Sequence, residues 1–151
     1  MHEAHRAIMA SVAATVHRTA FQADPGPYPP KIGALIREGL ACQAVDYIAA
    51  LRHRLRLIAQ MGAALADVDA ALYPAAPGPA PAGLDSTGNA GFNTLASLCG
   101  LPTVCFPVAL SAEGLPLGLQ VTGRSGEEEA LLGVAAWCES LAAFTAHPDG
   151  A

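Results

Sequence analysis

Residues 85–123 constrain the fold of this chain more than any other part of its sequence. Residues 85–89 read Asp-Ser-Thr-Gly-Asn, a run of turn formers that predicts a polar loop. Residues 92–99 then predict two helical turns, which Gly100 and Pro102 end because neither residue continues a helix well. The stretch therefore begins with a loop and a short helix.

Two short strands are predicted to follow. Residues 103–106 are β-branched, apolar and aromatic, and Pro107 is expected to close that strand. After a loop through residues 112–114, a second strand is expected over residues 117–122. This order predicts two neighbouring strands with the polar loop of residues 85–89 held in front of them.

The remainder of the chain is mainly helical by pattern. We expect helices over residues 3–21 and 32–65, separated by a proline-rich segment, with Gly39 as a break inside the second region. Residues 68–73 predict a short buried strand that enters Pro74. The apolar stripe predicted for the second region comprises Val45, Ile48, Leu51, Leu55, Ile58 and Leu65. Helices alternating with short apolar strands indicate an α/β fold, here part of a sheet covered by helices.

The last helix has the clearest sequence signals. Ser125 and Glu128 have the spacing of a capping box, and Glu127, Glu128 and Glu129 suit the positive end of the helix dipole. The side chains expected to be buried are Leu131, Val134, Ala135, Cys138, Leu141 and Ala142. This helix is therefore expected to cover the predicted strands.

The balance of apolar and charged residues predicts that the chain is part of a larger body. Its 151 residues are one domain's length, yet 52% are apolar and 14% are charged. Typical soluble domains are about 25% charged, and a small separate domain has proportionally more surface to cover. We therefore predict that residues 1–151 form a single, incomplete domain.

Charge and hydropathy argue against several partners and locations. The net charge of −5 argues against a nucleic-acid or anionic-membrane partner. No run approaches the roughly 18 consecutive apolar residues of a membrane span, and the N-terminus lacks the pattern of a secretory signal. The four cysteines form no Cys-x-x-Cys pair, so we expect reduced, buried thiols in a cytoplasmic protein.

No arrangement typical of hydrolytic catalysis occurs in the sequence. None of the six serines lies in a Gly-x-Ser-x-Gly motif. The only lysine, Lys31, is predicted to be a solvated surface amine rather than the desolvated base that a Ser-Lys mechanism needs. Residues 2–5 are one position short of a His-Glu-x-x-His motif, and no cysteine has an activating neighbour. We predict no catalytic residue, no metal site and no cofactor.

Other polar groups have simpler interpretations. Asp67 and Asp69 are expected to form a turn at a helix-to-strand junction. A solvated helix face accounts for the basic cluster of Arg52, His53, Arg54 and Arg56. The loop of residues 85–93 is the one polar cluster that we place near chemistry, because loops at strand ends open onto ligand crevices. A purely structural, hydrogen-bonded loop explains the same residues equally well.

A series of motifs, taken in order, resembles the C-terminal part of the amidase signature family of amide hydrolases. An acidic helix-to-strand junction ends at Pro74, and residues 86–93 are similar to a Thr-Gly-Asp-x-x-Phe-Asn segment. Residues 100–107 match Gly-Leu-Pro-x-x-x-x-Pro, and residues 114–120 match Gly-Leu-Pro-x-Gly-Leu-Gln. A final Glu-rich helix completes the series. The likeness covers nearly the whole chain, and the ordered series is more specific than any single motif.

The resemblance implies a mixed sheet wrapped by helices, and amide hydrolysis through a Ser–cis-Ser–Lys triad. That triad belongs to the family's N-terminal half, and no position here matches its Gly/Ser-rich segment. The chain is then expected to be inactive alone, with a small-molecule amide as the substrate of the complete enzyme. An alternative is a non-catalytic complementing or binding subunit that docks on a separately encoded N-terminal half. A truncated product without an independent role is the third hypothesis.

The resemblance also nominates residues of a pocket-side loop for substrate binding. These are Thr87, Gly88, Asn89, Phe92 and Asn93. Asn89 stands where the family often has Asp, and residues 94–96 replace a frequent Ala-Pro-Trp. We therefore expect this loop to contact the substrate.

Overall fold

The computed structural model describes residues 1–146, and its helices and strands confirm the α/β class. In chain order the elements are α1 (His2–Ala23), α2 (Pro30–Ala41), α3 (Ala44–Ala64), β1 (Ala71–Pro74), a 3-10 turn (Gly91–Asn93), α4 (Thr94–Cys99), β2 (Thr103–Leu110), β3 (Pro116–Thr122) and α5 (Glu128–Ala142). They fall into two compact units, an N-terminal unit of residues 1–59 and a C-terminal unit from residue 60 onward. Among the described residues, no helix is both long enough and apolar enough to span a membrane.

The N-terminal unit is built on a close approach of α1 and α2. Ala10 and Ala14 of α1 and Ile36 of α2 are buried between them. A side chain on Gly39 would overlap the carbonyl oxygen of Ala10, so this position requires glycine for helix contact. The predicted break at Gly39 is wrong by a few residues, because α2 continues to Ala41 and the chain leaves the helix at Cys42.

The apolar stripe predicted for the second helical region is largely uncovered. Val45, Ile48 and Leu55 are 68%, 49% and 66% exposed, while Leu65 is buried. The helical spacing is present, but periodicity reports which side chains share a face and not whether another element covers that face. On α1 the same holds for Val16, which is 72% exposed.

The sheet of the C-terminal unit is antiparallel, with strand order β1-β3-β2. The adjacent strands β2 and β3 were predicted and are confirmed, with Thr103 opposite Thr122 and Phe106 opposite Leu119. The prediction that Pro107 ends β2 is wrong, since the strand runs to Leu110. The register shifts between Pro107 and Ala109, and a proline is accommodated there because β2 is an edge strand that bulges.

The first strand begins later than predicted, at Ala71 instead of residue 68. Arg124 explains the difference: its Nη1 donates hydrogen bonds to the carbonyl oxygens of Leu65 and Val68, at 2.8 and 2.9 Å. The backbone before Ala71 is therefore held by a side chain instead of a strand. Asp67 lies in the turn and Asp69 in the bend of this segment, as expected.

The loop between β2 and β3 is ordered by one serine. Ser111 Oγ donates to Glu113 Oε2 at 2.8 Å and accepts from the backbone N–H of Leu115. The hydrogen bond from Ser111 holds the pKa of Glu113 below its usual value. Gly114 has φ +78, which a residue with a side chain adopts only under strain. This turn fixes the register in which residues 116–122 return along β2.

One face of the sheet packs against α5. The core comprises Phe106 and Val121 from the sheet with Leu131 and Ala135 from the helix. The strand end and the helix approach closely at Gly123, where a Cβ would lie 3.2 Å from Leu131. This confirms that the last helix covers the predicted strands.

Two expectations for the last helix are wrong. Leu141 is 66% exposed instead of buried. Glu127 is the N-cap of α5, and no side chain makes a capping hydrogen bond there, so Ser125 and Glu128 form no capping box. Arg124 Nε instead donates to Glu127 Oε2 at 2.8 Å, which orders the turn before the helix by an ion pair.

The cysteines are free, but they are not uniformly buried as predicted. Cys99 is buried, Cys42 and Cys138 are half-buried, and Cys105 is exposed. Cys105 lies on β2 between the core residues Val104 and Phe106, so alternation along the strand places it on the other face of the sheet. That face carries the candidate site.

Candidate functional site

A groove of about 560 Å³ lies in the C-terminal unit, and we call it the sheet groove. Its lining consists of the proline-rich loop of residues 75–81, residues 87–89, Cys105, Phe106, Pro107, Pro116 and Gly118. Strands and loops that are distant in sequence thus meet at one concavity. Concave sites with many apolar and few polar groups are typical of small-molecule binding.

The sheet face that includes Cys105 carries small or polar side chains in place of large apolar ones. Tyr73, Thr103 and Thr122 come from the three strands and form a chain of hydroxyl groups across them. The Tyr73 and Thr122 oxygens are 2.7 Å apart, and the Thr103 and Thr122 oxygens are 2.9 Å apart. Thr122 is 1% exposed, so this hydroxyl depends on its two partners for hydrogen bonds.

Gln120 connects three parts of the C-terminal unit. Its side chain is 2% exposed, and its Nε2 lies 3.4 Å from the Phe92 carbonyl oxygen and 3.5 Å from that of Pro74. Through these contacts a β3 residue joins the end of β1 to the 3-10 turn that follows the polar loop. A buried amide that donates to two segments restricts how either can move.

The structure separates the five residues nominated for substrate binding into two groups. Thr87, Gly88 and Asn89 line the sheet groove and are exposed. Phe92 and Asn93 lie on the 3-10 turn, and neither belongs to the groove lining among the residues that the structure describes. The Phe92 backbone instead accepts the hydrogen bond from Gln120.

The polar loop is shaped by its own side chains. Ser86 Oγ accepts from the Gly88 N–H at 3.1 Å, and Asn89 Oδ1 accepts from the Gly91 N–H at 2.8 Å. Gly88 has φ +85, a left-handed conformation that favours glycine. The Asn89 side-chain oxygen is therefore engaged in a local turn, whereas its side-chain nitrogen forms no hydrogen bond with the loop in the part of the chain that the structure describes. A polar N–H group is thus available beside the groove.

Two groove residues went unrecognised as site residues in the sequence. Gly118 lies opposite Pro107 on the neighbouring strand, and a Cβ there would be 3.1 Å from Cys105 Sγ. Glycine at this position therefore leaves the thiol of Cys105 uncovered at the groove wall. Strand alternation was the available signal, because it puts Cys105 on the face opposite Val104 and Phe106. That Gly118 leaves this thiol uncovered can be recognised only from the strand register.

The residues weighed for catalysis are dispersed. Lys31 is the second residue of α2 and is exposed. His2, Glu3 and His5 lie in the first turn of α1, and within residues 1–146 no group of three His, Cys, Asp or Glu side chains could hold a metal ion. Of the basic cluster predicted to form a solvated face, Arg52 and Arg56 are exposed, whereas His53 and Arg54 are half-buried.

Comparisons of this chain with known proteins agree on one family. A model of the Amidase family matches residues 5–132. A glutamyl-tRNA(Gln) amidotransferase subunit of Hyphomonas neptunium is 37% identical over 110 residues, which are 68% of this chain and 22% of that protein. The corresponding subunit of Granulibacter bethesdensis is 38% identical over 109 residues, again 22% of its length. The chain therefore spans a small part of these curated relatives.

Solved structures agree with the sequence match. A crystal structure of an amidase superposes with a TM-score of 0.81 at 32% identity, over 93% of this chain and 35% of that one. A 6-aminohexanoate cyclic dimer hydrolase superposes with a TM-score of 0.72 over 93% of this chain and 34% of that one, and at 16% identity it supports the fold alone. The ordered motifs, the family match and the superposition coincide over most of the chain. The chain therefore belongs to the amidase signature family.

Proposed function

We propose that this chain is the C-terminal portion of an amidase-signature amide hydrolase, that it supplies one wall of the substrate pocket, and that it does not hydrolyse amides by itself. The proposal rests on one observation, which is that Thr87, Gly88 and Asn89 line the sheet groove. These residues belong to the motif that resembles the family's pocket-side loop. The groove offers them a concave surface on which a small amide can rest.

The geometry supports a binding role for the loop over a purely structural one. Thr87 and Asn89 are exposed at the groove, and the loop is fixed by short-range turns and by Gln120. A preorganised hydrogen-bond donor loses little conformational entropy when it contacts a carbonyl oxygen. The Asn89 amide nitrogen is suited to that contact, and the apolar prolines are suited to the hydrocarbon part of an amide.

The chemistry of amide hydrolysis indicates that this chain depends on another segment of the enzyme for catalysis. A serine nucleophile needs a base within hydrogen-bond reach, and in a Ser–Lys pair that base is a desolvated lysine. Lys31 is exposed, and Ser86 Oγ is occupied as an acceptor in the turn to Gly88. Neither side chain has the surroundings of an activated group. The nucleophile and its base are therefore expected in another part of the complete enzyme.

The first test measures ammonia. The purified chain is incubated with acetamide, benzamide and glutamine, beside a complete amidase-signature enzyme as positive control. We expect no ammonia above the buffer blank for the chain and none for Ser86→Ala. Ammonia release that is lost in Ser86→Ala would show that the chain carries its own nucleophile and would overturn the proposal.

The complementing-subunit alternative is favoured by uncovered apolar side chains in the C-terminal unit. Phe92, Trp137 and Leu141 are 39%, 63% and 66% exposed. Large exposed apolar groups are typical of surfaces that another chain covers. Co-expression with the N-terminal part of an amidase-signature enzyme, ended before the region matched here, tests this role. Co-purification with recovered ammonia release is expected, and failure to associate at micromolar concentration would contradict it.

Matched variants separate docking from pocket formation in that experiment. Thr87→Ala and Asn89→Ala should co-purify as the unchanged chain does, with KM raised because a groove contact is removed. Thr19→Ala, an exposed threonine on α1, is the control and should change neither property. Equal KM values for all three variants would exclude the loop from substrate binding.

A further inference from the structure

Charge is strongly segregated between the two units of the chain. Residues 1–59 hold seven Lys or Arg against four Asp or Glu, a net charge of +3. The sequence from residue 60 onward holds one basic residue against nine acidic ones, a net charge of −8, and the two values give the total of −5. A chain with one basic and one acidic unit attracts further copies of itself when the opposite charges lie on accessible faces.

Two of these seven basic residues lie on an uncovered apolar face of α3, which we call the α3 face. It comprises Val45, Ile48, Arg52, Leu55 and Arg56. At 100° per residue these positions fall within about a third of the helix circumference, with Arg52 near the centre. All five are exposed. Within residues 1–146, neither Arg52 nor Arg56 forms an ion pair with a carboxylate.

Three of the nine acidic residues lie on an uncovered face of α5, which we call the α5 face. It comprises Glu128, Glu129, Leu132, Ala136 and Glu139. These residues share one side of α5, which adjoins the side that buries Leu131 and Ala135. Leu132 is 59% exposed, and in the described part of the chain these three glutamates form no ion pair.

We propose that the chain self-associates by docking the α3 face of one copy on the α5 face of another. Each face spans eleven residue steps, about 16 Å of helix, so the two match in length. With the two helices antiparallel, Arg56 comes opposite Glu128 and Glu129, Arg52 comes beside Leu132, and Ile48 comes opposite Ala136. Two α3 faces repel each other, as do two α5 faces, so the pairing between unlike faces is selected by charge.

The pairing sets the form of the assembly. Because each copy carries one α3 face and one α5 face, a single contact leaves one of each face unpaired. Association then ends in a two-fold pair with both contacts made, closes as a ring, or continues as a chain. This inference does not depend on amide hydrolysis and concerns the chain as a binding partner of itself.

Sedimentation velocity on the full chain across a concentration series tests the proposal. We expect association at ~20 mM salt and weakening by at least about tenfold at ~500 mM salt, because the Debye length falls from about 20 Å to about 4 Å. Trp137 is the single tryptophan and is adjacent to Ala136 of the α5 face, so its emission should shift with association. A monomer at all concentrations, or association indifferent to salt, would overturn the proposal.

Complementary charge reversal gives the decisive test. Arg52→Glu with Arg56→Glu makes both faces acidic, and Glu128→Arg with Glu129→Arg makes both faces basic. Each double variant alone should be monomeric, and an equal mixture should associate because each variant then supplies the opposite charge to the other. Association that survives in either variant alone, or that fails to return in the mixture, would contradict the assigned faces.

Two controls keep the result interpretable. Arg18→Glu with Lys31→Glu reverses two exposed charges of the same unit that belong to α1 and α2 and not to the α3 face, and it should leave association intact. Circular dichroism of every variant should match the unchanged chain, because all of the altered residues are exposed. Ile48→Ser, which keeps the charges, should weaken association at both salt concentrations.

Discussion

The two units of this chain are stabilised by opposite kinds of residue. In the N-terminal unit, α1 and α2 cross closely at Ala10, Ala14 and Gly39, so the contact at that crossing depends on small side chains, with Ile36 buried beside it. In the C-terminal unit, Phe106, Val121 and Leu131 fill the space between sheet and helix, so the contact depends on their volume. Atoms added at the α1–α2 crossing and atoms removed from the core between sheet and α5 are therefore expected to lower stability.

The largest expected effect is the removal of volume from the C-terminal unit. Leu131→Ala should lower the free energy of unfolding by about 3–5 kcal/mol, because the side chain is 2% exposed and its loss leaves a cavity. Its neighbour Leu132, which is exposed, is the matched control, and Leu132→Ala should change stability by less than about 0.5 kcal/mol. Urea unfolding monitored by circular dichroism, at a concentration below self-association, measures both. Equal losses would contradict the assigned core.

The next effect is the addition of one methyl group to the N-terminal unit. Gly39→Ala places a Cβ into the Ala10 carbonyl oxygen and 2.8 Å from the Ala14 Cβ. We expect a loss of up to about 3 kcal/mol, because the helices must separate. Gly133→Ala on α5 has nothing within 4 Å and should instead stabilise by about 0.5–1 kcal/mol through helix propensity. Thermal unfolding compares the two variants. A gain in stability for both would contradict the close packing of α1 against α2 at Gly39.

A smaller effect concerns the buried polar connection beneath the candidate site. Gln120→Leu keeps the side chain's approximate size but leaves the carbonyl oxygens of Phe92 and Pro74 without their donor, at a cost of about 1–2 kcal/mol. Amide hydrogen exchange should rise over residues 85–93 and stay unchanged in α1 and α2. The exposed Gln60→Leu is the control and should alter neither region. Unchanged exchange in the loop would show that Gln120 does not hold it.

The smallest effect is the pH dependence of two surface ion pairs, one in each unit. A hydrogen bond from Arg6 lowers the pKa of Glu38, and a hydrogen bond from Arg124 lowers the pKa of Glu127. The pKa of each glutamate in the folded protein lies below its unfolded value of about 4.3. Each ion pair therefore stabilises the folded protein above that pH, and this stabilisation is lost as pH falls through the lowered pKa. Glu38→Gln should remove the loss of stability at acid pH that this pair causes in the N-terminal unit. Glu127→Gln should remove the corresponding loss in the C-terminal unit.

Chemical-shift titration between neutral and acid pH checks this assignment residue by residue. Both pairs are solvent-exposed, so the effects should be small and should shrink with added salt. An acid response in the N-terminal unit that persists in Glu38→Gln would assign it to another carboxylate.

Much of the fold could be predicted from local signals. The strands β2 and β3, the helix that follows them and the polar loop of residues 85–93 were all expected from turn formers, β-branched runs and helical spacing. One error occurs where a distant residue decides the local structure, because Arg124 binds the carbonyl oxygens of Leu65 and Val68 and delays β1. Another is a local competition, because the ion pair of Arg124 with Glu127 replaces the expected capping box.

The candidate site divides in the same way. Thr87, Gly88 and Asn89 were nominated from the motif and lie on the sheet groove, whereas Phe92 and Asn93 lie on the adjoining turn. Cys105 was taken for an apolar strand residue, and it lines the groove because Gly118 on the facing strand leaves it uncovered. No local pattern can reveal such a pair, since the register that joins them spans thirteen positions of separation in the chain.

The family, the order of helices and strands, and the position of the polar loop follow from the amino-acid sequence, because motifs, turn formers and periodicity act over a few residues. Which apolar stripes are covered follows from the packing of the folded chain. Leu131 is buried by the sheet, whereas Val45 and Leu55 have the same helical spacing and stay exposed. Burial depends on a second surface that the spacing does not specify, and this leaves the α3 and α5 faces available for a partner.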